Sequence, residues 1–314
     1  MDNIICVVGP TASGKTRLAA VLAARCGGEV ISCDSMQVYR GMSIGTAAPT
    51  PDETLGVPHH MIAVADPAED FSAGRYVAMA DPILRDILAR GKTAVIAGGT
   101  GLYLDSLIAG RVFAPCPETG RREELEKMAD ERGMAAMLAY LAAFDPETAA
   151  RLHPSDRTRV LRACEVYLET GETVAEHDRA SRLVPPKYDA AWLGLTFADR
   201  ADLYRRIDRR ADAMLEAGLL GEIRALRARG VPDSATSLQA IGYKEPIAAL
   251  EGRCTMDEAV AAIKRGTRRY AKRQLTWFRR NDKIHWIEQT DPPDFPAVLS
   301  EAVRFLASFD NPKW

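Results

Sequence analysis

The chain has 314 residues, of which 47% are hydrophobic and 27% are charged, and its formal net charge is −2. This length predicts about two domains, and the ordinary composition excludes both a disordered chain and a collagen-like repeat. Because the net charge gives no overall attraction to polyanions, any binding of nucleic acid has to depend on a local cluster of basic residues.

The longest apolar runs, such as residues 93–97, extend over about five residues, whereas a helix that crosses a bilayer needs about 20. The sequence therefore predicts no membrane span. The first residues include Asp2 and lack the features of a signal peptide, so we predict a cytoplasmic protein. The cysteines form no CxxC pair and are predicted to be reduced thiols. They are Cys6, Cys26, Cys33, Cys116, Cys164 and Cys254.

The first hundred residues alternate between strand and helix patterns. Residues 3–8 form a continuous apolar run that predicts a buried strand, and residues 14–25 have apolar side chains at helical spacing. Residues 29–33 and 92–97 predict two further strands, with a helix at about residues 74–90 between them. Buried strands that alternate with helices are typical of a parallel α/β sheet.

The middle of the chain has a different pattern. After residues 114–120, which are rich in Pro and Gly, about 60 residues are charged and have helical periodicity, with no convincing strand. Residues 190–196 then predict another core strand, which returns the chain to the first sheet. Further patterns predict amphipathic helices at residues 201–229 and 255–280 and a short strand at 283–287.

These patterns, together with the sequence GPTASGKT at residues 9–16, predict an α/β fold, a P-loop NTPase-like parallel sheet flanked by helices, with an inserted all-helical domain. We assign residues 1–114 and 187–314 to the core and residues 115–186 to the insertion.

Residues 9–16 read GPTASGKT, a full match to the phosphate-loop pattern GxxxxGK[ST], placed between a predicted strand and a predicted helix. Glycines allow successive amide groups to face a phosphate, and the helix N-terminus and Lys15 add positive charge. The Thr16 hydroxyl can be a ligand of Mg²⁺. The pattern therefore predicts a site for a diphosphate or nucleotide. Its residues are Gly9, Pro10, Thr11, Ala12, Ser13, Gly14, Lys15 and Thr16.

Nucleotide hydrolases of this fold class hold Mg²⁺ with an acid at the end of a later strand. Here the strand at residues 92–97 is followed by Gly-Gly-Thr-Gly, so this acid is absent. The nearest candidate is Asp34, at the end of the second strand. Because the ends of neighbouring strands in a parallel sheet line one crevice, we expect Asp34 to face the phosphate loop as a base or metal ligand. The alternative is a residue that caps a turn.

Six motifs occur in one order along nearly the whole chain. They are GPTASGKT, DSMQVY at 34–39, VPHHM at 57–61, GGTGLY at 98–103, RVLRACEVY at 159–167 and YAKRQLTWFRR at 270–280. Together they resemble the tRNA dimethylallyltransferase family of bacterial type. The resemblance implies transfer of a dimethylallyl group from dimethylallyl diphosphate to the N6 amine of the adenosine immediately 3′ of the anticodon in tRNA, with Mg²⁺ and release of diphosphate.

The resemblance also implies roles for individual residues. Asp34 is the expected general base, and Lys15, Thr100 and Arg206 are expected to act with it. Thr100 has the alternative role of capping the next helix. A stretch at the end of the second strand is expected to contact the target adenine. It consists of Asp34, Ser35, Met36 and Gln37.

In this family the helical insertion binds the anticodon arm, and the matching stretch here is TRVLR. Its first residue is Thr158, where the family usually has Gln. Arg159 and Arg162 are three residues apart and share a helical face that suits phosphate, although such arginines often form surface ion pairs. The expected tRNA contacts here are Arg122, Thr158, Arg159, Val160, Leu161 and Arg162. The alignment at Arg122 can shift to Arg121.

Residues 264–280 contain eight basic residues and no acid. At helical spacing these residues can follow a phosphate backbone and make binding depend on salt. We expect contacts to tRNA from Arg268, Arg269, Lys272 and Arg273. Trp277 and Phe278 are better interpreted as core anchors. His59 and His60 follow Pro58 in a predicted loop, have no neighbouring metal ligands in the sequence and are interpreted as structural.

Three alternatives stay open at this point. The first is a small-molecule or nucleotide kinase on the same core, which would need ATP and no RNA. The second is an adenylate prenyltransferase that acts on free AMP and has no use for the basic helix. The third is a non-catalytic RNA-binding protein. We expect a monomer that binds the tRNA anticodon stem-loop and does not bind a membrane.

Overall fold

The computed structural model describes residues 2–111, 113 and 119–309. Contacts divide the chain into two compact units, one formed by residues up to 108 and from 188 onward, and the other by residues 109–187. The predicted start of the insertion at residue 115 lies outside the described residues, and so does Cys116. The other five cysteines are free thiols.

The first unit contains a six-stranded parallel sheet. Its strands are β1 Ile4–Val8, β2 Glu29–Cys33, β3 His59–His60, β4 Ala94–Gly98, β5 Ala191–Phe197 and β6 Ile284–Gln289. Their order across the sheet is β3-β2-β4-β1-β5-β6. The predicted parallel α/β sheet is confirmed. The sequence placed His59 and His60 in a loop, whereas the structure pairs them with β2 as a short edge strand.

The helices of this unit cover both faces of the sheet. They are α1 Lys15–Cys26, α2 Ala73–Ala89, α3 Gly101–Ala109, α9 Arg200–Glu216, α10 Leu219–Ala228, α11 Lys244–Leu250, α12 Met256–Phe278 and α13 Phe295–Ala307. The predicted helix at 201–229 is two helices, because Gly218 adopts a φ of 98° and ends the first of them.

Alternate side chains of β1 enter two separate apolar layers. Ile4, Cys6 and Val8 belong to one layer, while Ile5 and Val7 belong to the other. This arrangement explains why the central strands are apolar at every position, since each face of the sheet is covered by helices.

The second unit is helical and has its own apolar core. Its helices are α4 Arg121–Arg132, α5 Met134–Ala142, α6 Pro146–Arg151, α7 Arg157–Thr170 and α8 Val174–Leu183. Asp145 and Thr173 cap the N-termini of α6 and α8. Across the described part of both units, no helix combines the length and the apolar character that a membrane crossing requires.

Candidate active site

The phosphate loop connects β1 to α1 and has a backbone that its glycines require. Gly9 adopts a φ of 140°, and a Cβ atom there would lie 2.5 Å from the carbonyl oxygen of Leu195. Gly14 adopts a φ of 89° at the N-cap of α1. These two positions allow the chain to turn closely against β5 and to direct the start of α1 at the loop.

Two cations donate to carbonyl groups of the loop. Lys15 Nζ donates to the carbonyl of Pro10 at 2.6 Å, and Arg206 Nε of α9 donates to the carbonyl of Ala12 at 2.8 Å. The loop carbonyls are therefore bonded by cations, which keeps positive charge beside the amides that a phosphate would contact.

Two buried glutamines complete the support of the loop. Gln289 Nε2 donates to the carbonyl of Ser13 at 2.7 Å, at the end of β6. Gln274 Oε1 of α12 accepts from the backbone N–H of Thr11 at 2.8 Å, while its Nε2 donates to the carbonyl of Gly99 at 3.0 Å. The loop is thus held from β6 and α12 as well as by its own helix.

A cavity of about 690 Å³, here called the loop cavity, opens beside the phosphate loop. Among the residues that the structure describes, five cations border it, against one carboxylate, that of Glu53. The cations are Lys15, Arg17, Arg206, Arg209 and Arg210. Its other wall is mainly apolar and includes Ile44, Ala47, Ala48, Ala213, Met214 and Ala217. The cavity therefore suits a molecule with a polyanionic end and an apolar end.

Asp34 lies in the turn that follows β2. Its Oδ1 accepts from the backbone N–H groups of Met36 at 2.8 Å and Gln37 at 3.3 Å. The Thr100 hydroxyl accepts from the N–H of Ser35 at 3.0 Å, so the end of β4 fixes the same turn. Asp34 therefore does cap a turn, as the alternative interpretation held, and it also borders a cavity of about 310 Å³, here called the turn cavity.

A small cavity of about 50 Å³, here called the linking cavity, lies between these two. It shares Lys15 and Thr16 with the loop cavity and Thr11 and Asp34 with the turn cavity, and Arg210 borders all three. The turn cavity also contains Tyr270 and Arg273 of α12 and residues 239–242.

The glycines after β4 make this connection possible. β4 lies between β1 and β2, so β2 is not the neighbour of β1 that the sequence argument assumed. Gly98 and Gly99 border the linking cavity, and a Cβ atom at Gly98 would lie 1.9 Å from the carbonyl oxygen of Cys33. Nucleotide hydrolases have an acid at the end of this strand, whereas this chain has glycine there. No side chain at that position therefore separates Asp34 from the phosphate loop.

Burial and neighbouring charges shift the pKa values of several side chains in the site. Burial, and then the neighbouring Arg210, lower the pKa of Lys15 from 10.5 to about 7, although Asp34 opposes the shift. Burial also lowers the pKa of Arg210. For Tyr270, burial and the charge of Asp34 raise the pKa to about 12, so its phenol stays protonated. Burial in the site therefore disfavours positive charge that an anionic ligand would stabilise.

Comparisons with known proteins agree with this geometry. The model of the family described as IPP transferase matches residues 37–281, which is more than half of the chain, and that of Isopentenyl transferase matches residues 2–63. The chain belongs to the IPP transferase family. The predicted family, P-loop-like fold and enzyme class are confirmed.

Two relatives of this IPP transferase family member extend over nearly its whole length. The tRNA dimethylallyltransferase 2 of Geotalea uraniireducens is 44% identical over 305 residues, which is 97% of each chain. The tRNA dimethylallyltransferase of Geobacillus thermodenitrificans is 45% identical over 307 residues, covering 98% of this chain and 96% of the relative. Both names carry the predicted activity.

Solved structures give the same result. The full-length tRNA isopentenylpyrophosphate transferase from Bacillus halodurans aligns with a TM-score of 0.73 and 42% identity, covering 98% of this chain and 96% of the other. A structure described as a eukaryotic dimethylallyltransferase acting on tRNA aligns with a TM-score of 0.82 and 29% identity. The alignment covers 96% of this chain and 78% of the other.

In this family member the basic run of α12 divides into two sets. Lys264 pairs with Asp212 and Arg268 pairs with Asp208, both of α9. Four other cations have exposed side chains, and no carboxylate in the described residues lies within ion-pair distance of them. They are Arg265, Arg269, Lys272 and Arg273. Of the residues predicted to contact tRNA here, Arg268 is therefore occupied by a partner.

The aromatic residues of α12 are anchors, as the sequence indicated. Phe278 is buried, and the Trp277 indole donates to Asp105 Oδ2 at 2.8 Å. A Cβ atom at Gly101 would lie 2.1 Å from the Trp277 ring, so this glycine of the GGTG run lets α12 approach α3. His60 bonds Glu29 at 2.8 Å and His59 bonds the carbonyl of Val57, which agrees with a structural role for both.

In the helical unit the predicted tRNA contacts are not all on the surface. Val160 and Leu161 are fully buried in its core, so the prediction is corrected to their neighbours on α7. Thr158 and Arg159 are exposed. Arg162 pairs with Glu165 at 2.7 Å and, on α4, Arg122 pairs with Glu126 at 2.9 Å.

Sequence reasoning missed several residues of the site. Arg210 is four residues after Arg206 on α9, and that helical spacing was the available signal. Gln274 lies inside the basic motif and was missed because only the charged residues of that motif were considered as contacts. Gln289 contacts the phosphate loop only through the tertiary structure, and no local pattern marks it.

Proposed function

We propose that this protein transfers the dimethylallyl group of dimethylallyl diphosphate to N6 of the adenosine immediately 3′ of the anticodon in tRNA. One observation carries the proposal: Asp34 and the phosphate loop border one linking cavity, across two glycines. The diphosphate would occupy the loop cavity, with its apolar group toward Ile44 and Met214. The adenine would enter the turn cavity beside Asp34.

The reaction follows from this placement. The N6 lone pair attacks C1 of the dimethylallyl group, the bond from C1 to the diphosphate oxygen breaks, and diphosphate leaves with the electron pair. Asp34 accepts the proton that N6 loses, since an exocyclic amine of adenine is a weak nucleophile without a base. Lys15, Arg206 and Arg210 stabilise the charge that develops on the departing oxygens. Thr100 positions the turn that carries Asp34.

The site is compatible with Mg²⁺. The Thr16 hydroxyl borders the loop cavity, and the buried Ser13 hydroxyl has no hydrogen-bond partner among the described residues. The residues that the structure describes contain no cluster of three or more His, Cys, Asp or Glu side chains that could hold a metal ion. Mg²⁺ often relies on few protein ligands together with substrate phosphates and water. Thr16 would hold the ion, which would neutralise part of the diphosphate charge.

The RNA would be held by both units. On α12 the exposed cations suit the phosphate backbone of the anticodon stem-loop. In the helical unit Thr158, Arg159, Arg162 and Arg122 are the proposed contacts, and the ion pairs of all three arginines, including that of Arg159 with Asp156 at 3.9 Å, would have to exchange for phosphate. We also propose that the protein is a cytoplasmic monomer, which gel filtration and cell fractionation would test.

The structure suggests a sharp test of Asp34. Asp34→Asn keeps the oxygen that accepts from Met36 and Gln37, whereas Asp34→Ala loses it. With Mg²⁺, dimethylallyl diphosphate and an unmodified tRNA, we expect the parent to add one prenyl group to adenine, measured by mass spectrometry of the nucleosides. We expect Asp34→Asn to lose turnover by about 10²-fold or more while RNA binding and melting temperature stay unchanged.

The other candidate functions give different results in this assay. Transfer of a terminal phosphoryl group from ATP to a small alcohol would support a kinase and contradict the proposal. Prenylation of free AMP in preference to tRNA would indicate an adenylate prenyltransferase. Tight RNA binding with no prenyl product would indicate a non-catalytic protein.

A further inference from the structure

Glu222 of α10 holds one segment of the first unit by its backbone. Its Oε2 accepts from the N–H groups of Ser43 and Ile44, both at 2.8 Å, and its Oε1 accepts from the N–H of Gly45 at 3.0 Å. The Ser43 hydroxyl and the Tyr243 hydroxyl also donate to it, at 3.2 and 2.7 Å. One carboxylate therefore accepts from five donors, three of them consecutive backbone amides.

The hydrogen bonds that Glu222 accepts are stronger than the backbone hydrogen bonds that usually hold a turn. Hydrogen bonds to an ionised carboxylate are shorter and about twice as strong as those between neutral groups. Tyr243 is fully buried, and both its burial and the charge of Glu222 raise its pKa, so the phenol remains a donor. A Cβ atom at Gly45 would lie 2.4 Å from the Tyr243 ring, which shows how closely the segment is seated.

The segment held in this way, residues 43–48, forms a wall of both larger cavities. Ser43, Ile44, Ala47 and Ala48 border the loop cavity, whereas Gly45 and Thr46 border the turn cavity.

The second half of the same segment is held by residues of the site itself. Arg210 Nη2 donates to the carbonyl of Thr46, and Gln37 Nε2 donates to the carbonyl of Ala47, both at 3.2 Å. Glu222 does not border the loop, turn or linking cavity. Its effect on either substrate would therefore be exerted through the wall.

We propose that Glu222 is a positioning residue for prenyl transfer, which fixes residues 43–48 as a common wall for donor and acceptor. The proposal rests on the proposed function. Transfer requires the donor carbon and the adenine amine to be held within near-contact distance, and a displacement of about 1 Å can cost about 10²-fold in rate. A wall that contacts both substrates sets that distance.

Glu222→Gln is the direct test. It keeps the shape of the side chain but places an NH₂ group against N–H donors of the segment. We expect kcat to fall by 10-fold or more while the Kd for tRNA, measured without donor, changes less than twofold. We expect a loosened wall to admit water, so that more than one diphosphate is released for each prenyl group transferred. A role in folding alone would leave that ratio at one.

The control is Glu251→Gln, the same substitution in a surface ion pair with Arg227 and Arg253, for which we expect unchanged transfer. Glu222→Asp, which keeps the charge but withdraws it by one methylene, is expected to lose rate as well. Values of kcat and of the diphosphate ratio within twofold of the parent in both Glu222 variants would overturn the proposal.

Hydrogen exchange separates this proposal from the proposed function and does not require a folded variant. The amides of residues 43–45 are expected to be protected in the parent protein and, where Glu222→Gln folds, to exchange faster in it. Exchange in the parent as fast as in exposed loops would overturn the role of Glu222 even if transfer is observed. Failure of the parent to transfer a prenyl group would overturn the proposed function and with it the role of Glu222 in transfer, whereas protected amides at residues 43–45 would still show that Glu222 holds the segment.

Discussion

The side-chain oxygen of Gln274 accepts a hydrogen bond of 2.8 Å from the backbone N–H of Thr11, 263 residues earlier in the chain. The same side chain donates to Gly99, so one buried amide joins the phosphate loop, the glycine run after β4 and the basic helix α12. A movement of α12 would therefore be transmitted directly to the loop. This relationship explains why a glutamine stands among the arginines of that helix.

Replacing Gln274 by leucine should affect both stability and donor binding. It would leave the Thr11 N–H and the Gly99 carbonyl without partners, at a cost in unfolding free energy of about 2–4 kcal/mol. Urea denaturation measures the cost, and donor KM measures the displacement of the loop, which we expect to raise KM several-fold. Thr276→Ala, at an exposed position of the same helix, is the control. Equal stability of the two variants would refute the structural link.

Lys15 should make the stability of the ligand-free protein depend on pH. Its pKa is about 7 in the folded state and 10.5 ordinarily, so the fold carries the full cost of the charge below pH 7. Between these values the unfolded chain binds more protons, and stability rises with pH. Lys15→Met should therefore be more stable than the parent by about 2–3 kcal/mol at pH 6, because water still reaches part of the side chain. The difference should narrow toward pH 10.

Thermal melting from pH 6 to 9.5 checks this prediction, with Lys283→Met on an exposed turn as the control. A difference between Lys15→Met and the parent that stays constant with pH would contradict it. Diphosphate binding provides a second measurement, since an anion restores the ammonium. At pH 8, calorimetry in two buffers of different ionisation enthalpy should record proton uptake by the parent and none by Lys15→Met.

Ionised Glu29 should stabilise the amino end of β2 at neutral pH, and this contribution should be lost in acid. It is buried, and hydrogen bonds from Arg90, and then from Lys92 and His60, lower its pKa below the ordinary value of 4.5. The contribution is fully present above pH 4.5 and is lost as the pH falls further. Glu29→Gln should lose about 2 kcal/mol at pH 7, since its partners are partly exposed, and the loss should diminish in acid.

Glu69→Gln, which breaks an exposed ion pair of 2.6 Å with Arg75, is the matched control. We expect it to change stability by less than about 1 kcal/mol. Denaturation curves at pH 7 and pH 3.5 distinguish the two variants. A Glu29→Gln loss that persists unchanged in acid would show that the packing of β2, not the charge, is responsible.

The sequence was sufficient for the phosphate loop and the parallel sheet, because both follow from local patterns. The loop motif needs only its neighbouring strand and helix, and strands apolar at every position need cover on both faces. It was also sufficient to select Asp34. The reason given for that residue was incomplete, since it is Gly98 and Gly99, not adjacency of β1 and β2, that open it to the loop.

The residues that sequence reasoning missed, or assigned to a different contact, depend on contacts between distant segments. Arg268 lies in a basic run, but Asp208, 60 residues earlier, neutralises it. Glu222 and Gln274 are single polar residues on amphipathic helices, and only the fold reveals what they contact. Val160 and Leu161 are different, because their apolar character in the amino-terminal half of α7 already indicated a core position.

The division of α12 predicts which of its cations bind RNA. Each Lys or Arg that contacts a phosphate contributes about 0.7–0.9 to the slope of log K against log salt. Replacing Arg269, Lys272 and Arg273 by glutamine should therefore flatten the slope by about 2–3 units. Arg268→Gln should leave the slope unchanged and lower stability instead, because it leaves Asp208 without its partner. Filter binding of an unmodified tRNA at several salt concentrations measures the slope for each variant. Equal slopes for the triple variant and the parent would show that α12 does not face the RNA.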